Sequence, residues 1–110
     1  MQTRILSMLL LLVLTMAGAA CFRSDRRTIV VQVPQMASPA CYSVIQEALK
    51  NVEGIENTRP DYEKRTLEVT YNGLKLGIKN VEYVIAGAGF AANHIQPPED
   101  VRARLPEPCR

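Results

Sequence analysis

The chain has 110 residues, a net charge of +2 and 47% hydrophobic residues, with three cysteines and a single histidine. Once an apolar N-terminal run is set apart, about 90 residues remain, which suffices for one small domain with a modest core. The small positive charge gives no reason to expect a nucleic-acid partner. The sequence also lacks a Cys-x-x-Cys pair, and we expect neither a histidine near Cys41 nor paired carboxylates in a cleft, so we predict a binding protein and not an enzyme.

The N-terminal segment has the layout of an export signal. Residues 5–16 form an uncharged apolar run after Arg4, short for a membrane span, and small residues follow it. The small residues fit ordinary cleavage, which would leave an exported soluble protein with a spare thiol. The tripeptide ending at Cys21 also resembles a lipobox, in which Cys21 is lipidated. We predict a signal peptide of the lipoprotein type over residues 1–20, a linker over 21–27, and anchoring to the membrane in the cell envelope.

The first half of the remaining chain predicts a strand followed by a helix. Residues 28–33 are β-branched and apolar on alternate positions, and Pro34 ends this strand. Over residues 40–52 the apolar positions recur at intervals of three and four, which is the spacing of one helical face. Ser38 suits the N-cap of this helix, and Gly54 suits its end.

The second half repeats strands and a helix in a different order. Residues 55–59 form a weak strand, which the following Pro60 places at a sheet edge. Residues 66–71 alternate as a half-buried strand does, and residues 78–88 have helical spacing. Residues 90–95 are the predicted final strand.

This order of elements predicts an α+β fold, a ferredoxin-like βαββαβ sandwich. Each helix has one apolar stripe to bury, so the economical packing is a four-stranded antiparallel sheet with both helices on one face. The expected spatial order of strands is 4-1-3-2, with the second strand at an edge. We predict that the domain covers residues 28–95 and that residues 96–110 form a C-terminal tail.

Four short stretches match a known family pattern in register. They are Val33-Pro34-Gln35-Met36, Cys41, the strand from Leu67 to Tyr71, and Ala88-Gly89-Phe90. These residues resemble the heavy-metal-associated domain of copper chaperones and of copper-transporting ATPases. Cys41 falls on the second cysteine of that family's Met-x-Cys-x-x-Cys loop. Ser38 stands where the first cysteine would be, and Gln35 stands where the family has a glycine.

The resemblance implies a function as well as a fold. It implies that the protein binds or transfers Cu(I) or another soft metal ion, with Cys41 as the primary ligand, since soft thiolate ligands suit such ions. Met36, Ser38 and Phe90 would support the metal loop. The implied partner is a metal-transport or metal-acceptor protein. Because Ser38 is a poor substitute for a thiolate, the alternative is a degenerate domain that has lost the metal and acts as an interaction or scaffold module.

Cys109 is the candidate second sulfur donor, and several outcomes stay open for it. The predicted fourth strand would carry residue 95 to the end of the domain opposite Cys41, so the tail would have to return, and an extended tail of this length reaches at most ~45 Å. Cys41 and Cys109 could then share a metal or form a disulfide. Alternatively, two molecules share a metal through Cys41, or the thiols do not pair. The same topology places His94 far from Cys41, as a surface residue.

Overall fold

A computed structural model of the protein describes residues 2–19 and 24–110. Helix α1, Gln2–Ala19, contains the apolar N-terminal run. Within the described residues, no helix combines the length and apolarity that crossing a membrane requires. Cys21 lies outside the described residues, so its lipidation stays a prediction.

The domain is built on a three-stranded antiparallel sheet in the order β1-β3-β2. The strands are β1, Arg26–Gln32, β2, Ile55–Asp61, and β3, Thr66–Asn72. Helix α2, Pro39–Leu49, connects β1 to β2, and helix α3, Ile78–Gly87, follows β3. The predicted α+β class and the position of β2 at the sheet edge are confirmed.

Both helices contribute to one core on one face of the sheet. Side chains in β3 alternate between buried and half-buried, as expected for a sheet covered on one face. The buried cluster joins Val31, Leu67 and Val69 from the strands to Ile45 of α2 and Ile85 of α3. The helical spacing seen in the sequence therefore reports the faces that pack on the sheet.

The predicted fourth strand is wrong: in the described part of the chain, residues 90–95 form no strand. Ala92 and Ile95 instead exchange two backbone hydrogen bonds of 2.9 Å, which closes a tight turn. Asn93 within this turn has a φ of 53°, a left-handed conformation that asparagine tolerates better than most residues. Asn93 bonds the turn to the sheet: its backbone N–H donates to the carbonyl oxygen of Gln32 at 2.9 Å.

This turn changes the route of the C-terminal tail. Gln32 is the last residue of β1 and lies at the end of the sheet from which the loop to α2 begins. The chain therefore turns back near that loop, and the expectation that the tail returns from the opposite end is wrong. The tail then forms a short helix α4, Glu99–Ala103, and a 3₁₀ turn, Glu107–Cys109.

Candidate metal site

Cys41 lies in the first turn of α2, where the sequence placed it. Ser38 occupies the N-cap position with an extended backbone, but its side chain makes no capping hydrogen bond. Its hydroxyl oxygen lies instead 3.5 Å from Cys41 Sγ. A sulfur in the first turn of a helix is close to unpaired N–H groups and the positive end of the helix dipole, which favour a thiolate once the cysteine is reduced.

The tail packs onto the domain beside this loop. Gly89 has a φ of +105°, which glycine adopts without strain, and a Cβ built there would lie 3.0 Å from Leu105 Cδ1. Leu105 is only 6% exposed and belongs to the core cluster, as does Cys109. The Arg110 side chain donates to the Leu105 carbonyl oxygen at 2.9 Å, which closes the last turn of the chain. Leu105 therefore packs against Gly89, whose lack of a side chain leaves room for it.

Gln35 ties the loop to the tail through three hydrogen bonds. Its Nε2 donates to the carbonyl oxygens of Cys109 at 2.9 Å and Gly89 at 3.0 Å, and its Oε1 accepts from the backbone N–H of Ala91 at 2.7 Å. The side chain is 7% exposed, so these bonds are shielded from water. A glycine at this position could make none of them.

The two sulfurs meet in a disulfide between Cys41 and Cys109. The bond joins residues 68 positions apart whose Cα atoms are 5.5 Å apart, and both cysteines are fully buried. Of the outcomes left open by the sequence, the structure therefore contains the intramolecular disulfide. A disulfide offers no thiolate, so this form has to be reduced before the pair can coordinate a metal.

The other predicted loop residues have unequal roles. Met36 and Phe90 are fully buried members of the core cluster, so they support the loop by packing. Ser38 is half-buried beside Cys41. His94 is exposed as predicted, but the argument that placed it at the opposite end fails, because the neighbouring Asn93 contacts the loop end of β1.

Across residues 2–19 and 24–110, no three histidine, cysteine or acidic side chains come together as a metal-binding group. The described structure thus offers a pair of sulfurs without a third strong ligand. Two thiolates suit a soft ion that accepts low coordination, whereas Zn²⁺ in structural sites takes four ligands.

Sequence reasoning missed two residues that shape the site. In the sequence, Gln35 stands out only as a departure from the family glycine, although a long amide in a loop can make several hydrogen bonds. Asn93 was assigned to a strand, although asparagine is a common turn residue and Pro97-Pro98 follows closely. The turn at Asn93 could therefore have been predicted from the sequence.

We expect Gln35→Ala to weaken the pairing of Cys41 with Cys109 without removing either sulfur. The loss of a buried amide that holds the tail should lower the equilibrium constant for disulfide formation about tenfold or more, since a buried unpaired group costs about 1–3 kcal/mol. The measurement is the thiol–disulfide equilibrium in glutathione buffers. Gln46→Ala, an exposed change on α2, is the matched control. Equal equilibrium constants in wild type and Gln35→Ala would contradict the assigned role.

The domain packs two helices on one face of an antiparallel sheet, and a cysteine lies in the first turn of α2. This arrangement defines a class of small ferredoxin-like domains with a cysteine at a helix start. The chain belongs to one family in this class: residues 30–91 match the heavy-metal-associated domain. The family resemblance drawn from the sequence is confirmed.

Relatives of this chain include a protein of mercury transport and domains of known structure. It is 30% identical over 77 residues to the mercuric transport protein periplasmic component of Shigella flexneri, covering 70% of this chain and 85% of the relative. It is similar to oxidized MerP from Ralstonia metallidurans CH34, with 26% identity, a TM-score of 0.58, and coverage of 63% of this chain and 96% of MerP. A copper-binding domain of the P-type ATPase HMA7 gives 27% identity, a TM-score of 0.57, and coverage of 61% and 90%.

Proposed function

We propose that the protein binds a soft metal ion, Hg(II) or Cu(I), through the thiolates of Cys41 and Cys109 and passes it to a metal-transport or acceptor protein. The observation that carries this proposal is the pairing of the two sulfurs beside the loop that joins β1 to α2. In this arrangement Cys109 supplies the donor that Ser38 lacks. The role is one of binding and transfer, with no catalytic step.

The disulfide and the metal complex are alternative states of one pair. Reduction by a dithiol reductant adds two electrons and two protons, which cleaves the S–S bond and gives two thiols. Binding of the ion then releases both thiol protons and leaves two metal–sulfur bonds. The position of Cys41 at a helix N-terminus favours the deprotonated form that this step requires.

The noncovalent contacts of the tail support metal binding by the reduced form. Gln35 and Leu105 hold the tail through a hydrogen bond to Cys109 and packing on Gly89, and neither contact requires the disulfide. Cys109 therefore stays near Cys41 after reduction, which lowers the entropy cost of bringing two ligands together. Both sulfurs are fully buried, so a partner that takes the metal has to displace part of the tail.

We place this function in the cell envelope. Residues 1–20 would be removed as a lipoprotein signal, Cys21 would carry the lipid, and residues 21–27 would link the anchor to a domain over 28–95 with its tail over 96–110. The periplasmic relative supports export. Since the Cys41 loop follows the C-terminal end of β1, it would face away from the membrane, where a partner can reach it.

The test is a titration of the full chain carrying Cys21→Ser, so that Cys41 and Cys109 are its only cysteines. Hg(II), and separately Cu(I), is added against a competing chelator in the reduced and the oxidised form. We expect tight binding of one ion per chain after reduction and none in the oxidised form. Tight binding by the oxidised protein would place the metal elsewhere. Absence of binding by the fully reduced protein would overturn the proposal.

One observation favours a second function. The sulfurs are joined and fully buried, which is also what a structural disulfide in an exported scaffold module would look like. That module would keep the disulfide in its working state and bind no metal after reduction. The reduced-state titration separates the two functions, since only the first predicts binding.

A further inference from the structure

The outer edge of β1 exposes backbone groups that pair with nothing in the described residues. On the inner side, the Val33 N–H donates to the Arg65 carbonyl oxygen at 2.8 Å, and the Asp25 carbonyl oxygen accepts from the Gly73 N–H at 2.6 Å. The odd-numbered residues of β1 therefore bond to β3. The even-numbered residues point their N–H and C=O groups away from the sheet.

Only the last of these outward positions has a partner in the described chain. Gln32 bonds to Asn93 on both its backbone groups. Among the residues described, no backbone hydrogen bond reaches the outward groups of Arg26, Thr28 or Val30. The missing fourth strand is the reason, because the turn at Asn93 takes the chain away from this edge after one residue.

This edge has few of the features that protect a sheet edge. It contains no proline, and its pairing with β3 runs without a bulge from Arg26 to Gln32. Thr28 is exposed, and Val30 is 60% exposed on the outer face of the sheet. Such an edge can accept a further strand, which would satisfy the free backbone groups.

We propose that a second copy of this chain pairs with this edge, β1 against β1 in antiparallel orientation, with Thr28 on the twofold axis. This register sets Thr28 opposite Thr28 and Arg26 opposite Val30 on each side of the axis. Each of these three pairs exchanges two hydrogen bonds, which uses every free outward group of the edge. Asn93 limits the pairing at Gln32, and the two sheets become one sheet of six strands.

Charge favours the antiparallel orientation and a second copy as the occupant. The arginines at the start of β1 would lie side by side in a parallel pair, whereas the antiparallel pair separates them. Arg26 of the second copy would lie beside Val30, whose other neighbour across the sheet is Glu68. Glu68 has no cation within 4.0 Å in the described structure. Within its own chain, the Arg26 Nε donates to Glu56 Oε2 at 2.7 Å, in an exposed ion pair. In the dimer the stem of Arg26 would cover Val30, and its guanidinium would exchange Glu56 for Glu68 of the second copy.

The first test uses Thr28→Pro in the full chain, with Thr28→Val as the control. Proline removes an outward N–H that β1–β3 pairing does not use, whereas valine keeps it. A pairing of one short strand buries less than a standard interface, so we expect a weak dimer in sedimentation experiments over a range of concentrations. Thr28→Pro should weaken dimerisation at least tenfold, and Thr28→Val should leave it unchanged. Both variants retain α1, so equal association in both would show contact through another surface and overturn the proposal.

A charge exchange tests the register without relying on proline. Arg26 and Glu68 are four pairs apart along β1 and β3, too far to meet within one chain. Arg26→Glu should therefore weaken the dimer, and the double change Arg26→Glu with Glu68→Arg should restore it. Glu56→Gln, which removes the intrachain partner of Arg26, is the control and should leave the dimer intact. The proposal would be overturned if wild type stayed monomeric at all concentrations, or if the double change did not restore the dimer. It would also be overturned if the edge bound an unrelated protein and never a second copy. Metal titration is independent of these results, because neither position contacts Cys41 or Cys109.

Discussion

Replacing Cys41 with serine in the reduced protein is expected to abolish tight binding of Hg(II) or Cu(I). The change removes one of two thiolates and leaves a hydroxyl that is a hard, protonated and weak ligand for a soft ion. We expect an affinity loss of at least about 100-fold, the upper end of the loss seen when only an outer-shell partner of a ligand is removed. Competition titration against a chelator of known affinity measures it.

The pattern across three variants identifies the ligands. Cys109→Ser should lose as much affinity as Cys41→Ser, because each leaves a single sulfur of the proposed pair. Ser38→Ala should bind nearly as wild type, since the Ser38 hydroxyl contacts Cys41 Sγ at 3.5 Å without being a ligand in the proposed complex. A strong loss in Ser38→Ala together with normal binding in Cys109→Ser would show that the loop, and not the tail, supplies the second donor.

Reducing the disulfide is expected to lower the free energy of unfolding by about 2–4 kcal/mol, because the unfolded chain is then released from a cross-link between residues 68 apart. Urea denaturation with and without a thiol reductant measures this difference. The domain should nevertheless remain folded after reduction. Its sheet lies within residues 26–72, and all of its buried core cluster except Leu105 and Cys109 lies within residues 31–92, so most of the packing does not involve the tail.

The double variant Cys41→Ser with Cys109→Ser is the control for the effect of the reductant itself. Its stability should be the same with and without reductant and close to that of reduced wild type. If wild type were equally stable in both conditions, the disulfide would contribute nothing to folding. If reduced wild type unfolded completely, a metal-binding reduced state of the kind proposed above would not exist.

Regular periodicity predicted most of the fold. The alternation in β1 and β3 and the three-and-four spacing of α2 and α3 are local patterns, and each reports the face that is buried. The ends of elements were less well predicted: α2 ends at Leu49, although its apolar spacing continues to Val52. Helix ends depend on capping and on the following chain, which periodicity does not describe.

The prediction of a fourth strand is wrong because it extended a strand pattern across Asn93, a residue that favours turns. Residues 90–95 lie just before Pro97-Pro98 and are predicted as a final strand, but Asn93 within them has a left-handed backbone. Its left-handed backbone and the two prolines that follow turn the chain away from β1. Two consequences follow: the outer edge of β1 is left open, and the tail starts beside the loop that holds Cys41.

The amino-acid sequence by itself determined the order of the five elements from β1 to α3, the family, and the position of Cys41 in the first turn of a helix, since these depend on neighbours along the chain. The tertiary structure alone decided which sulfur accompanies Cys41. Cys109 is 68 residues away, and its position depends on the turn at Asn93, the buried hydrogen bonds of Gln35 and the packing of Leu105 on Gly89. Such contacts join distant parts of the chain, so no local spacing in the sequence could report them.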